Sequence, residues 1–168
     1  MTALGGRLHA WIGLFVIIGL ACTPPASSMA AGRHGVTVSQ GAILPEAEAK
    51  LLTMVNRERR IHGLSPLISD PSLRLAARRH AQDMALRGYV GHDSLGGQTM
   101  RDRLGGFLRS GSRVGENVAM VQSVEEGQRA FVASQHHLRN MLDPGFHRVG
   151  IGVTTAGEMG IMITEDFT

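Results

Sequence analysis

Two proline–glycine brackets constrain this chain more than any other feature. "PEAEAKLLTMVNRERRIHG" opens at Pro45 and closes at Gly63, and "DPSLRLAARRHAQDMALRG" opens at Asp70 and closes at Gly88. Proline suits the first turn of a helix, where a missing N–H costs nothing, and glycine suits the left-handed residue just past the end. The first bracket predicts a helix from about Pro45 to His62. Glu46 and Glu48 lie at its positive end, and Leu51, Met54 and Val55 form its apolar stripe. Its Arg57, Arg59 and Arg60 read as solvated arginines near the C-terminus. The second bracket has Asp70 as N-cap and a stripe of Leu73, Ala76, Ala77, His80, Ala81 and Met84. Two such helices in a row predict an antiparallel or crossing pair.

The later sequence changes period. "GSRVGENVAMVQ" reads as extended chain, and "SVEE" is a capping box that starts a helix running to about Ser134. "HHLRNML" is a short helical turn closed by "DPG". Val149, Ile151 and Val153 then alternate, and "MGIMI" is an apolar run of strand length, so a hairpin is expected over "TTAGE". A shorter helix is expected near Met100 to Leu108. Helices first and strands late predict an α+β domain with helices packed on a small antiparallel sheet.

The 168 residues allow one domain, and the first thirty differ from the rest. Arg7 precedes "AWIGLFVIIGLA", the length of a signal-peptide core and short for a membrane span. "IGLAC" is similar to a bacterial lipobox ending on Cys22, and "SSMAA" offers ordinary cleavage after Ala30. Residues 1–30 are therefore read as an export signal, 31–44 as a linker and 45–168 as the domain. A lipid anchor at Cys22 and soluble secretion both remain open. Cys22 is the only cysteine, so no disulfide can staple the exported part. Its core, in roughly 120–140 residues, must be sufficient unaided.

Charge excludes one class of partner. The net charge is +3, aromatics make up 4% of the chain, and Lys50 is the only lysine. No basic block with interleaved aromatics is present, so nucleic-acid binding is not expected. Weak attraction to an anionic envelope polymer is compatible with the arginines.

Three polar side chains stand where the pattern predicts loop edges or partial burial: His92 after "GYVG", Glu116 in "GEN", and His137 in "SQHHLRN". A lone carboxylate in an apolar setting costs several kcal/mol or takes up a proton. Two nearby imidazoles would offset that cost by hydrogen bonding; alternatively the three would hold a divalent metal such as zinc. Spacing does not choose between these. No G-x-S-x-G elbow, HExxH or phosphate loop is present. His80 reads as a packing residue, Asn117 as a backbone tie, His136 and His147 as exposed, and Asp93, Asp102 and Asp143 as loop and cap groups.

The ordered segments "VNRERRIHGLSPLISDPSLRLAARRHAQDMALRGYVGHDS", "RDRL", "GENVA", "SQHHLRNML" and "FHRVGIGV" together resemble the bacterial branch of the CAP superfamily of cysteine-rich secretory, antigen 5 and pathogenesis-related proteins. The resemblance runs from about residue 48 to the C-terminus. It implies an α-β-α sandwich with a cleft in which histidines and glutamate converge, in some members around a divalent cation. By motif, His92, Glu116 and His137 take the cleft positions. The bacterial segment "SPGHRxNIL" appears here as "SQHHLRNML", Phe131 replaces the usual tryptophan, Met162 stands at the histidine of eukaryotic members, and Glu165 takes a glutamine position. The function implied is a monomeric, non-enzymatic module for an extracellular or envelope ligand. The alternative is a metal-dependent hydrolase of peptide or cell-wall bonds, with Glu116 as ligand or general base.

Overall fold

The computed structural model describes residues 39–108 and 111–168; the signal segment, Cys22 and most of the linker lie outside them. Five helices and four strands follow in the order α1 (Pro45–Ile61), β1 (Ile68–Ser69), α2 (Pro71–Arg87), α3 (Met100–Leu104), β2 (Gly115–Val121), α4 (Val124–Ala133), α5 (Gln135–Leu142), β3 (Arg148–Thr155) and β4 (Ile161–Phe167). The strands form one sheet in the order β1-β3-β4-β2. Only the β1–β3 pair is parallel.

The brackets act as the sequence predicts. Pro45 opens α1, and past its end Gly63 turns left-handed while the Leu64 N–H reaches back to the Arg59 carbonyl at 2.9 Å. Asp70 caps α2 by accepting from the Ser72 and Leu73 amides, and Gly88 closes it at φ 69°. Ser123 caps α4 through the Glu126 amide. The Glu126 side chain reaches the Gln122 amide, one residue short of the reciprocal partner in a full box. The helix expected to reach Leu108 is α-helical only to Leu104, and Gly105–Phe107 tighten into a 3₁₀ turn.

The two leading helices lie on opposite faces of the sheet and are joined by an ion pair, Arg78 of α2 donating to both Glu48 oxygens at 2.6–2.8 Å. Val149, Ile151 and Val153 of β3 pack with Leu51 and Val55 of α1 and with α4 and α5 residues. The alternate residues, Gly150 and Gly152, face α2. A Cβ on Gly150 would sit 2.1 Å from the Leu73 carbonyl carbon, and one on Gly152 2.4 Å from that of Ala77. Two glycines thus let α2 lie directly on the sheet backbone. The sheet separates α1 from α2, giving the three layers that the family resemblance implies. β1, too short to carry a periodic signal, pairs with β3 between them.

One arginine breaks the solvated-face reading. Arg59 is 2% exposed and donates to the carbonyls of Ser65, Met141, Asp143 and Phe146, at 2.7–3.2 Å. It ties the C-terminus of α1 to the turn after α5.

Candidate functional site

Along β2, side chains alternate between the two layers. Asn117 turns toward α5, and Glu116 and Val118 turn toward α2. The opposite strand obeys the same parity, so Met162 packs with Ala81, Met84 and Val118. Register sets Glu116 across from Asp166 and Asn117 across from Glu165. Both acids of "TEDF" are thereby buried, one on each face of the sheet.

Glu116 is 3% exposed, and both of its oxygens are engaged. Its Oε1 pairs with His92 Nδ1 at 2.9 Å. Its Oε2 accepts from Nη2 of Arg103, whose side chain is itself 7% exposed. His80 Nε2 lies 4.0 Å from the same oxygen and bonds the Gly91 carbonyl at 2.8 Å. Burial lowers the His80 pKa, and the Arg103 charge adds to this against the pull of Glu116. The ring is therefore held neutral.

Asp166 completes the group. Burial raises its pKa well above the ordinary carboxyl value, and the adjacent Glu116 raises it further. Neither Asp166 oxygen meets the geometry of a hydrogen bond, yet two facing carboxyls with one guanidinium cannot both ionise at low cost. Arg103 pairs with Glu116, and the raised pKa of Asp166 favours its protonated form.

On the other face, Asn117 Nδ2 donates to Glu165 Oε2 at 3.0 Å and reaches the His137 carbonyl at 3.3 Å. Asn140 of α5 donates to the Asn117 side-chain oxygen at 2.9 Å and to the Glu116 carbonyl at 3.0 Å. Asn117 therefore joins β2, β4 and α5, the backbone tie expected of it. Glu165 is fully buried, and burial pushes its pKa up to about 7 despite the Asn117 bond.

Of the three residues singled out by sequence, the structure joins His92 to Glu116. His137 makes no hydrogen bond to either; its ring meets Phe131 edge-on at 5.1 Å between centroids. Burial lowers its pKa, with His136 and His92 adding to the effect. The neighbouring His136 instead lines the opening with His92. A cavity of about 250 Å³ is bounded by His92, Met100, Val114, Gly115, His136 and Asn140, with Glu116 at its wall. Asp102, read as a cap group, forms a reciprocal box with Thr99 at the start of α3.

Sequence reasoning missed Arg103 and Asp166. Arg103 sits in "RDRL", three residues after Met100, and nothing local distinguishes it from its exposed neighbour Arg101. Asp166 was legible in principle: once β2 and β4 pair, parity sets it facing Glu116.

A cation on Glu116 would share its oxygens with the Arg103 guanidinium on one and the His92 imidazole on the other. Among the described residues no three His, Cys, Asp or Glu side chains converge as a metal would require.

Comparison with known proteins decides the family. Residues 52–164 match the profile described as CAP, the cysteine-rich secretory protein family. The chain belongs to the CAP family. Its CAP segment is 32% identical over 130 residues to the YkwD protein of Bacillus subtilis (strain 168), covering 77% of this chain and 51% of that protein. The chain thus spans about half the length of that relative. An SCP-domain extracellular protein from Bacillus anthracis superposes with a TM-score of 0.66 at 25% identity, covering 73% of this chain and 40% of that one. An outer surface protein of Borrelia burgdorferi superposes with a TM-score of 0.68 at 18% identity, over 76% and 96%, and supports the fold. The CAP assignment accounts for the three layers, and "GEN" lies on the edge strand β2.

Proposed function

We propose that this CAP domain is an extracytoplasmic, non-enzymatic binding module. Its cleft is the opening between His92 and His136, and Glu116 acts beneath it as a strut rather than as a reacting group. One observation carries this reading: the buried Glu116 carboxylate is shared between His92 and Arg103, contacts that tie the His92 loop and α3 to the sheet. The strut fixes the loop bearing His92, whose own side chain is 49% exposed and lines the cleft. Export is supported by the leader-like apolar run and by relatives described as extracellular or outer-surface proteins. A lipid anchor at Cys22 belongs to the same proposal, and mass spectrometry of the mature N-terminus checks it.

Co-sedimentation with purified peptidoglycan sacculi and with intact cell envelopes tests the module directly. The wild-type chain is expected to sediment with at least one of them. A His92→Ala/His136→Ala variant is expected to lose most of that retention without releasing soluble fragments from the polymer. Chelator-sensitive release of fragments by the wild type, abolished in Glu116→Gln, would establish the hydrolase instead.

A further inference from the structure

On the face of the sheet that α1, α4 and α5 cover, the strands contribute one carboxyl, Glu165 of β4, and it is fully buried. Its Oε2 accepts from Asn117 Nδ2, while its Oε1 has no partner. The side-chain oxygen of Gln128, buried on α4, is likewise unpaired. The charged or titratable groups that the covering helices bring to this layer are Glu48 and Arg59 of α1 and His137 of α5; the buried side of α4 has none. Glu48 is committed to Arg78, Arg59 to four carbonyls, and the His137 ring to Phe131. None of them acts on the Glu165 carboxyl, which responds to burial and to Asn117 alone. An ionised carboxylate in that place has no countercharge, so the fold favours its protonated form.

The one bond that Glu165 makes leads to the cleft. Asn117 Nδ2 is divided between Glu165 Oε2 at 3.0 Å and the His137 carbonyl at 3.3 Å. His137 lies in the first turn of α5, next to His136 on the cleft wall. That turn is the loose end of the helix. Ser134 gives it no side-chain cap, whereas Arg59 holds the other end through the Met141 and Asp143 carbonyls. An ionised acceptor draws a donor more strongly than a neutral one. A charge on Glu165 would therefore pull the Asn117 amide away from the His137 carbonyl, and the uncapped turn would give before the pinned one.

We propose that Glu165 is a pH switch for the cleft. Protonated, it leaves Asn117 holding the first turn of α5, with His136 in place to bind; ionised, it takes that amide for itself and frees the turn. Burial puts the change near neutrality, because the Glu165 pKa is pushed up to about 7. Cleft binding is therefore strongest in mild acid and weakens as pH rises through that value. The consequence for binding rests on the module argued above, but the movement of α5 can be measured without any ligand.

Carbon-13 and nitrogen-15 NMR of the full chain, from about pH 5.5 to about pH 8.5, tests the switch. The Glu165 carboxyl, the Asn117 and Asn140 side-chain amides and the backbone amides of His136 to Leu138 are expected to titrate together, with one midpoint near 7. Glu165→Gln keeps the shape of the protonated acid and should abolish that shared step while the histidine rings still titrate. The Leu138 amide closes the first turn on the Ser134 carbonyl at 2.8 Å. Its hydrogen exchange at about pH 8 should be about ten-fold faster in wild type than in the variant, and nearly equal at about pH 5.5. Retention on sacculi or envelopes should fall with rising pH in wild type and persist in Glu165→Gln. A Glu165 carboxyl titrating near its ordinary value, α5 amides without the shared midpoint, or equal Leu138 exchange in the two proteins would each overturn the switch. Wild-type retention that ignores pH would overturn it too, while leaving the module standing. No retention at any pH would remove the module, and the α5 titration would still decide the switch.

Discussion

Glu116 and Asp166 face each other across β2 and β4 on the side of the sheet that α2 covers. Arg103 pairs with Glu116, and burial beside that carboxylate raises the Asp166 pKa. The consequence for "GENV" is that its acid serves the architecture. It anchors the His92 loop and α3 to the central sheet through charge-assisted bonds.

Removing the cation should therefore be severe. Arg103→Ala leaves Glu116 buried without its countercharge, and breaking such a pair from one side costs about 3–5 kcal/mol. Adding Glu116→Gln to that variant should recover part of the loss, because the stranded charge is gone. Urea unfolding of the two singles and the double measures the coupling.

Stability should also depend on pH through Glu165. Its folded pKa is raised to about 7 by burial, so the native state holds this proton more tightly than the unfolded chain does. The contribution is fully present below the unfolded carboxyl pKa of about 4.3 and is lost as pH rises through about 7, on the order of 3 kcal/mol. His80 and His137 act oppositely. Their lowered pKa values make stability rise with pH up to the unfolded histidine value. Comparing Glu165→Gln with wild type between pH 4.5 and 7.5 isolates the acid: the variant should gain relative stability as pH increases.

Gly150→Ala should be among the most damaging single methyl additions in the chain. The added carbon would meet the backbone of α2 rather than a movable side chain. Displacing a 17-residue helix from the sheet should cost at least about 3 kcal/mol and lower the melting temperature by more than 10 °C. Thermal melts of this variant and of Gly96→Ala, where no atom lies within 4 Å, give the comparison.

The sequence disclosed what local chemistry controls. Asp70 with Pro71, Gly63, Gly88 and Ser123 mark helix ends because caps are satisfied within a few residues. The β3–β4 hairpin is announced by the alternation of Val149, Ile151 and Val153 before the turn and the apolar run "MGIMI" after it. Partners chosen over long separations were hidden. Arg59 and Arg103 look like any solvated arginine until the turn after α5 and strand β2 close over them. The opposite placement of α1 and α2 depends on a two-residue strand and on two glycines in β3, whose role appears only once a helix is laid on them. His137 was selected by motif position, but α5 turns it toward Phe131 and gives the cleft to His136, one residue earlier.

The claim that Glu116 is a strut is tested most directly by melting curves of wild type and Glu116→Ala in chelator-treated buffer, repeated with a several-fold excess of zinc. The account predicts a loss of about 1–3 kcal/mol or more for the variant without any metal, and no zinc-dependent rise in either protein. Equal melting temperatures in chelator, with zinc stabilising the wild type alone, would contradict it.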